Sequence, residues 1–274
     1  MNNFTFKNAK PTIIPVPPKL IIYGRNGIGK SRFAAAAPHP IFLDLDKNIN
    51  EIPCVSNTKG LEKEFAFNTF QNVIEFLDLL VKEDHMFKTI VIDSITSLDR
   101  YVENQVKKER NVSGIGDLKY GLGYDLMAGL WAQVVDKLNQ LWSQKKMIVI
   151  LIGHDKSKEK EQAFSETYDQ YQLSLPTRSA EVIKNWCTTI LYASDRSNFL
   201  EKKGDFGGVQ KIFKSSDRVL YTDDGTITLA KNTYNLPLTL PFNKGDAGKA
   251  WDLFYCHVQE YYKNPDQNLK QGDK

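Results

Sequence analysis

An α/β fold with a mainly parallel central sheet is predicted by two observations. Short apolar runs, Leu20-Ile21-Ile22-Tyr23, Ile41-Phe42-Leu43, Thr89-Ile90-Val91-Ile92 and Met147 to Ile152, alternate with stretches whose apolar residues recur at helical spacing. Near-continuous apolar runs of this length suit strands covered by helices on both faces, as crossover connections require. The first run also leads directly into Gly24-Arg25-Asn26-Gly27-Ile28-Gly29-Lys30-Ser31, a complete G-x-x-x-x-G-K-[ST] string in strand-then-helix context.

The elements follow in order. Pro11, Pro15, Pro17 and Pro18 prevent a regular helix and predict an extended arm over residues 1–18. After the glycine-rich loop, Ser31 to Ala37 should be helical, ended by Pro38-His39-Pro40. Ile41-Phe42-Leu43-Asp44-Leu45-Asp46 reads as a second strand finishing in acids. Val73, Ile74, Leu77, Leu80 and Val81 recur at helical spacing, and Thr89 to Asp93 forms a short buried strand ending in a carboxylate. Met127, Leu130, Val134, Leu138 and Leu141 make one stripe on a long helix, and Met147 to Ile152 another strand.

Beyond residue 186 the pattern changes to strands and turns. Asp223-Asp224-Gly225 predicts a hairpin between Arg218–Tyr221 and Thr226–Leu229. Trp251, Phe254, Val258 and Tyr261 mark a closing amphipathic helix, and 264–274 a polar tail. With no repeat and no internal boundary, residues 19–263 form one domain, which includes a C-terminal antiparallel extension of the sheet.

Composition narrows the functional classes. A chain of 274 residues with 41% hydrophobic content fills a substantial core, so disorder is not the expectation. A net charge of +3 neither requires nor excludes a local basic groove. Cys54, Cys187 and Cys256 are far apart and lack metal-ligand spacing, against a zinc site or disulfide framework. No charged-then-apolar leader opens the chain, and no apolar run approaches the roughly 18 to 20 residues that cross a bilayer. A cytoplasmic protein with no membrane partner is expected.

The glycine-rich loop carries the strongest chemical signal. Its backbone N–H groups can converge on phosphate oxygens, aided by the helix that starts near Lys30. Lys30 would then reach the β and γ phosphates of ATP, and the Ser31 hydroxyl would hold Mg2+. Hydrolysis needs further groups on neighbouring strand ends. Asp93, closing the Thr89–Asp93 strand, suits the metal shell, with Ser94 ordering it, although Asp-Ser before a helix is also capping chemistry. Asp44 and Asp46 share one face if the strand continues through them, and Asp46 is assigned as the base for water, with a cap or solvated turn as the other reading. His154, after Val149 to Gly153, can read the γ-phosphate or be a buried histidine satisfied by backbone.

This order of motifs resembles the RecA superfamily of P-loop ATPases over about residues 19 to 242. Within it, the chain resembles phage-encoded single-strand-annealing (Sak-type) recombination ATPases. The resemblance implies a RecA-like core, ATP and Mg2+ as cofactors, Asp46 as the water-activating acid where glutamate is usual, and His154 as the γ-phosphate sensor. Leu229-Ala230-Lys231-Asn232-Thr233 resembles the segment that sends a basic side chain to a neighbour's ATP. It gives Lys231 a catalytic role in trans, a solvated strand-end lysine being the alternative. The segment after His154, with Lys156, Lys158, Lys160, Phe164, Tyr168 and Tyr171, occupies the place of a loop that lies along single-stranded DNA. Asp155, Glu159, Glu161, Glu166 and Asp169 outnumber its lysines, leaving a lid or partner-binding loop open. Lys107, Lys108 and Arg110 form a second candidate DNA contact or a solvated helix face. Phe6-Lys7-Asn8-Ala9 has the form of a strand added to the next protomer, or an edge strand of its own chain.

The resemblance implies a DNA-stimulated ATPase that binds single-stranded DNA and promotes annealing or recombination. It would act as a homo-oligomer, with a phage single-strand-binding protein as a further partner, in a bacterial host's cytoplasm. A replication helicase or helicase loader would share every nucleotide motif. A nucleotide-sensing adaptor would bind ATP without productive turnover. A small-molecule kinase is disfavoured because 155–171 contains no arginine for a phosphate-clamping lid.

Overall fold

The structure is a computed structural model that describes residues 12–162, 165–198, 213–224 and 228–263, with backbone alone at 159–162, 165–169, 197–198 and 213–216. Phe164, the Phe6-Lys7-Asn8-Ala9 segment and the 264–274 tail fall outside the described residues.

Ten strands and six α-helices follow one another along the described residues. They are β1 (Lys19–Gly24), α1 (Lys30–Ala35), β2 (Pro40–Asp44), β3 (Val55–Ser56), α2 (Phe70–Lys82), β4 (Thr89–Asp93), α3 (Ile95–Arg110) and α4 (Leu122–Gln144). Then come β5 (Ile148–Gly153), β6 (Asp155–Gln162), β7 (Ser165–Leu173), α5 (Thr177–Trp186), β8 (Thr189–Asn198), β9 (Phe213–Tyr221), β10 (Thr239–Pro241) and α6 (Ala247–Lys263). Eight strands form one sheet in the order β10-β9-β8-β1-β5-β4-β2-β3. Six of them, from β8 to β3, run parallel, while β9 and β10 extend the sheet antiparallel. The mainly parallel α/β architecture and its antiparallel C-terminal part are as the sequence predicts.

Strand alternation divides the core into two layers. Ile21 and Tyr23 of β1, Ile90 and Ile92 of β4, and Val149 and Leu151 of β5 face α2, α3, α4 and α5. Leu20, Ile22, Val91 and Ile150 point the other way, onto Phe33 of α1 and Trp251, Phe254 and Val258 of α6. Because both faces are covered, apolar side chains are needed at successive positions, which is why these strands read as unbroken runs.

Three local expectations are corrected. The second strand ends at Asp44, so Leu45 and Asp46 lie beyond it rather than on it. Among the described residues the predicted hairpin pairing is not made: β9 is flanked by β8 and β10, with Tyr221 opposite both Tyr192 and Thr239. Thr228 instead bridges to Tyr171, and Leu229 donates its N–H to Tyr171 O at 3.2 Å. Both edges of β9 were already taken, so residues 228–229 had to find another partner. Finally, the stretch after His154 is an antiparallel hairpin, β6 with β7, separate from the main sheet.

The parallel strands decide where chemistry is located. β1, β2, β4 and β5 all point the same way, so the residues that follow them arrive at one edge of the sheet.

Candidate functional site

The glycine-rich loop joins β1 to α1. Gly24 has φ 152°, and a Cβ there would run into the Ala193 carbonyl oxygen of β8, so close strand packing at the loop's entry requires glycine. The Lys30 side chain folds back into the loop, its Nζ donating to Gly24 O at 2.7 Å and Arg25 O at 3.0 Å. Burial lowers its pKa to about 8, although Asp93, Asp155 and Asp46 favour the charged form. Arg218 of β9 donates to Ile28 O at 2.9 Å, and Arg25 pairs with Asp195 at 2.8 Å. The loop is therefore held from β8 and β9.

Ser31 and Asp93 meet, the hydroxyl donating to Oδ2 at 2.5 Å. The alternative reading of Asp93 as a helix cap does not fit: Ser94 caps α3, its Oγ accepting from Ser97 N at 3.3 Å. Burial pushes the Asp93 carboxyl up to about 6, against the Ser31 hydrogen bond, and the nearby acids Asp46 and Asp44 push the same way. A cation would relieve both causes. Among the described residues no group of three or more His, Cys, Asp or Glu side chains could hold a metal by itself. Mg2+ commonly needs no such cage, since it binds through one or two protein oxygens together with phosphates and water. The Ser31–Asp93 pair beside the phosphate-binding string fits that donor set.

Asp46 and His154 also come together. His154 Nε2 lies 3.3 Å from Asp46 Oδ2, and Ser94 Oγ donates to Oδ1 at 3.1 Å. Burial raises the Asp46 pKa, but hydrogen bonds from His154, Ser97 and Ser94 outweigh it and hold the carboxyl below its ordinary value. His154 Nδ1 is buried and has no hydrogen-bond partner among the described residues. Asp44, the other acid of the pair, is 2% exposed and does not line this cleft.

Asn26, Gly27, Gly29, Lys30, Ser31, Asp46, Asp93 and His154 thus line one cleft of about 310 Å³. Arg32, Asn48 and Ile52 line it too and were missed in the sequence, where nothing about their spacing marks them. A larger cavity of about 630 Å³ lies among Pro15 to Pro18, Ile148, Tyr255 and Tyr262, and holds none of the motif residues.

The other candidates fall elsewhere. Lys231 does not project freely from a strand end, because its Nζ donates to Cys187 O at 2.6 Å and Lys184 O at 3.2 Å at the C-terminus of α5. Its backbone pairs with Ile190, near the start of β8 and away from its own chain's phosphate loop. Lys107, Lys108 and Arg110 occupy the last turn of α3, where cations complement the exposed carbonyls, and Lys107 pairs with Glu103 at 2.5 Å. Lys156 donates to Leu175 O at 2.6 Å at the base of the hairpin, Lys158 is exposed, and Lys160 stands opposite Tyr168 in the register. Tyr171 is not a free stacking platform: its ring lies on Tyr192, centroids 5.4 Å apart and planes 16° apart.

Compared with known families, residues 16–234 match the AAA domain. The chain belongs to the AAA domain family. The loop, the Ser31–Asp93 pair and the acid-lined cleft all lie within the span matched to this P-loop ATPase family. The chain is also similar to the SPbeta prophage-derived uncharacterized protein YorG of Bacillus subtilis (strain 168), 24% identical over 147 residues. That match takes in 49% of this chain and 40% of the relative, so the chain spans well under two thirds of the relative's length. No helix among the described residues is long and apolar enough to cross a membrane.

Proposed function

We propose that this AAA domain protein is an ATP-hydrolysing, phage-type recombination protein whose nucleotide controls its hold on single-stranded DNA. The observation that carries the reading is the continuity of the Asp46–His154 end of the cleft with the β6–β7 hairpin. His154 contacts Asp46 in the cleft, β6 begins at the next residue, and Ser174 N closes the hairpin's base on His154 O at 2.9 Å. The strand before the phosphate loop reaches the same hairpin, since the single Tyr23 hydroxyl proton is shared between Tyr171 O of β7 at 3.0 Å and Leu229 O at 2.7 Å. A displacement of His154 or Tyr23 on nucleotide binding is therefore delivered to the hairpin.

The pleat also supports this reading where the total charge did not. Lys156, Lys158 and Lys160 fall at alternating positions of β6, opposite Gln172, Gln170 and Tyr168, whereas Asp155 and Glu159 occupy the intervening positions opposite Leu173 and Asp169. Summed charge over the segment hides this separation along β6. In this proposal Lys30 positions and polarises the phosphates of ATP, Ser31 and Asp93 hold Mg2+, and Asp46 orients or deprotonates water. The protein acts as a homo-oligomer in the cytoplasm of a bacterial host, in keeping with a relative whose name marks it as prophage-derived. A single-strand-binding protein of the same phage is a proposed partner.

The test is steady-state ATP hydrolysis with and without single-stranded DNA, alongside annealing of complementary oligonucleotides. Stimulated hydrolysis with nucleotide-dependent annealing is expected. Directional strand unwinding would favour a helicase, and phosphate transfer to a small acceptor would overturn the proposal.

A further inference from the structure

The segment that carries Asp46 is gripped on both its amide and its carbonyl sides by residues outside the nucleotide motifs. Residues 45–52 leave the end of β2 and bring Asp46, Asn48 and Ile52 to the cleft. On the amide side, buried Asp44 accepts Asn48 N–H at 3.3 Å; burial raises its pKa, and the Asn48, Ile49 and Lys47 amides offset part of that rise. On the carbonyl side, Lys59 Nζ donates to Ile49 O at 2.7 Å, to Asn50 O at 3.2 Å and, in a shorter contact, to Ile52 O. An ammonium has three donors, and here three main-chain carbonyls take them.

Lys59 is itself fixed. It closes a tight turn in which Ser56 N donates to Lys59 O at 2.9 Å and Lys59 N to Ser56 O at 3.2 Å. Asn57, 1% exposed, ties that turn to β2: its Oδ1 accepts Asp44 N at 2.8 Å, its N–H donates to Phe42 O at 3.1 Å, and its Nδ2 donates to Phe65 O at 3.1 Å. The ammonium is thus anchored to the same strand from which the segment departs. A loop with a tethered cation at its far end and a carboxylate at its near end has little freedom to move Asp46.

We propose that Lys59 is a positioning residue for Asp46. Its ammonium, seated among the carbonyls of 49, 50 and 52, does for this loop what a bound monovalent cation would do, and it holds the acid against His154 and Ser94. The proposal rests on the ATPase reading for its kinetic consequence, but not for its structural one.

Two measurements on the full chain test it separately. Hydrogen exchange reads the clamp directly: in Lys59→Met, amides of 45–52 should exchange at least about tenfold faster while those of β1, β4 and β5 stay protected. In Lys59→Ala, added propylammonium should restore protection, because it can refill the vacated cage. Single-turnover hydrolysis reads the consequence, with an expected loss of about 10²-fold, since small misplacements of catalytic groups carry such costs. ATP affinity should stay within about threefold, because Lys59 makes its hydrogen bonds to 49, 50 and 52 rather than to the phosphate loop. Unchanged exchange in 45–52, or faster exchange spread over the whole sheet without rescue, overturns the proposal. Should Lys59→Met fail to fold, Lys59→Gln keeps the stem and one amide donor for the same measurements. A wild type without turnover would sink the ATPase reading, and the exchange measurement would still decide the clamp.

Discussion

Asp46 and His154 stand 108 positions apart in the chain, yet Nε2 of the ring lies 3.3 Å from Oδ2 of the carboxylate. Ser94, from the end of β4, holds the other oxygen at 3.1 Å. Three neighbouring strands, β2, β4 and β5, therefore each lead into one member of a single hydrogen-bonded group. Such a group acts as a unit, and its members should not be separable by mutation.

Asp46→Asn should accordingly bind ATP within about threefold of wild type and hydrolyse it about 10²-fold more slowly. His154→Ala should lose turnover too, and the double variant should lose less than the product of the two single effects. Single-turnover hydrolysis measures all three. Independent, multiplicative losses would show that the contact has no catalytic meaning.

Lys30 connects the loop to stability. Its folded pKa, about 8, lies below the ordinary lysine value of 10.5, so the folded state sheds this proton more readily than the unfolded state does. The destabilisation is fully present below pH 8 and is relieved as pH rises from 8 to 10.5, by at most about 3 kcal/mol. Without nucleotide, Lys30→Met should therefore unfold at a higher temperature than wild type at pH 7, with the gap closing toward about pH 10. It should also lose the thermal shift that ATP and Mg2+ give the wild type. A variant less stable than wild type in the absence of nucleotide would contradict the first expectation.

Two glycines of the loop should respond differently to alanine. Gly24→Ala meets the Ala193 carbonyl across a strand pair that cannot open without breaking β1 from β8. Gly27, at φ 72°, has open space where a Cβ would project and carries only the backbone cost. Denaturant unfolding should show a loss of about 1 kcal/mol for Gly27→Ala and several times that for Gly24→Ala. Equal losses would mean that the β1–β8 approach is not tight.

The three thiols should react in a fixed order with an alkylating reagent. Cys256 is exposed, Cys54 is half-buried with its thiol pushed up by burial, and Cys187 is buried with its thiol pushed up to about 11. Mass spectrometry should find Cys256 modified first and Cys187 only after denaturation. Early labelling of Cys187 would indicate that α5 and the start of β8 open in the native state.

Lys158 offers a direct reading of the hairpin. If the exposed lysine meets a phosphate of single-stranded DNA, Lys158→Ala should weaken binding similarly for all sequences and reduce the salt slope by about 0.7. Fluorescence anisotropy at several salt concentrations provides the check. An unchanged slope would remove Lys158 from the DNA surface.

Residue spacing by itself determined the architecture of this chain and the loop at its centre. Unbroken apolar runs alternating with helical stripes form strands covered on both faces, and G-x-x-x-x-G-K-S after such a run carries its own geometry, because both depend on local spacing. What spacing could not decide was which polar groups meet. Asp44 and Asp46 were expected on one strand face, but β2 ends at Asp44, which turns Asp44 into the 47–49 amides and leaves Asp46 to meet His154. Asp93 could be read as a metal-shell acid or as a helix cap until Ser94 took the cap of α3 and left Asp93 for Ser31. Lys231 looked free until α5 supplied carbonyls for it. Residues 228–229 lost their expected hairpin because β10, a later strand at Thr239–Pro241, claimed that edge of β9. Each outcome turns on long-range competition for hydrogen-bonding partners, which only the assembled sheet resolves.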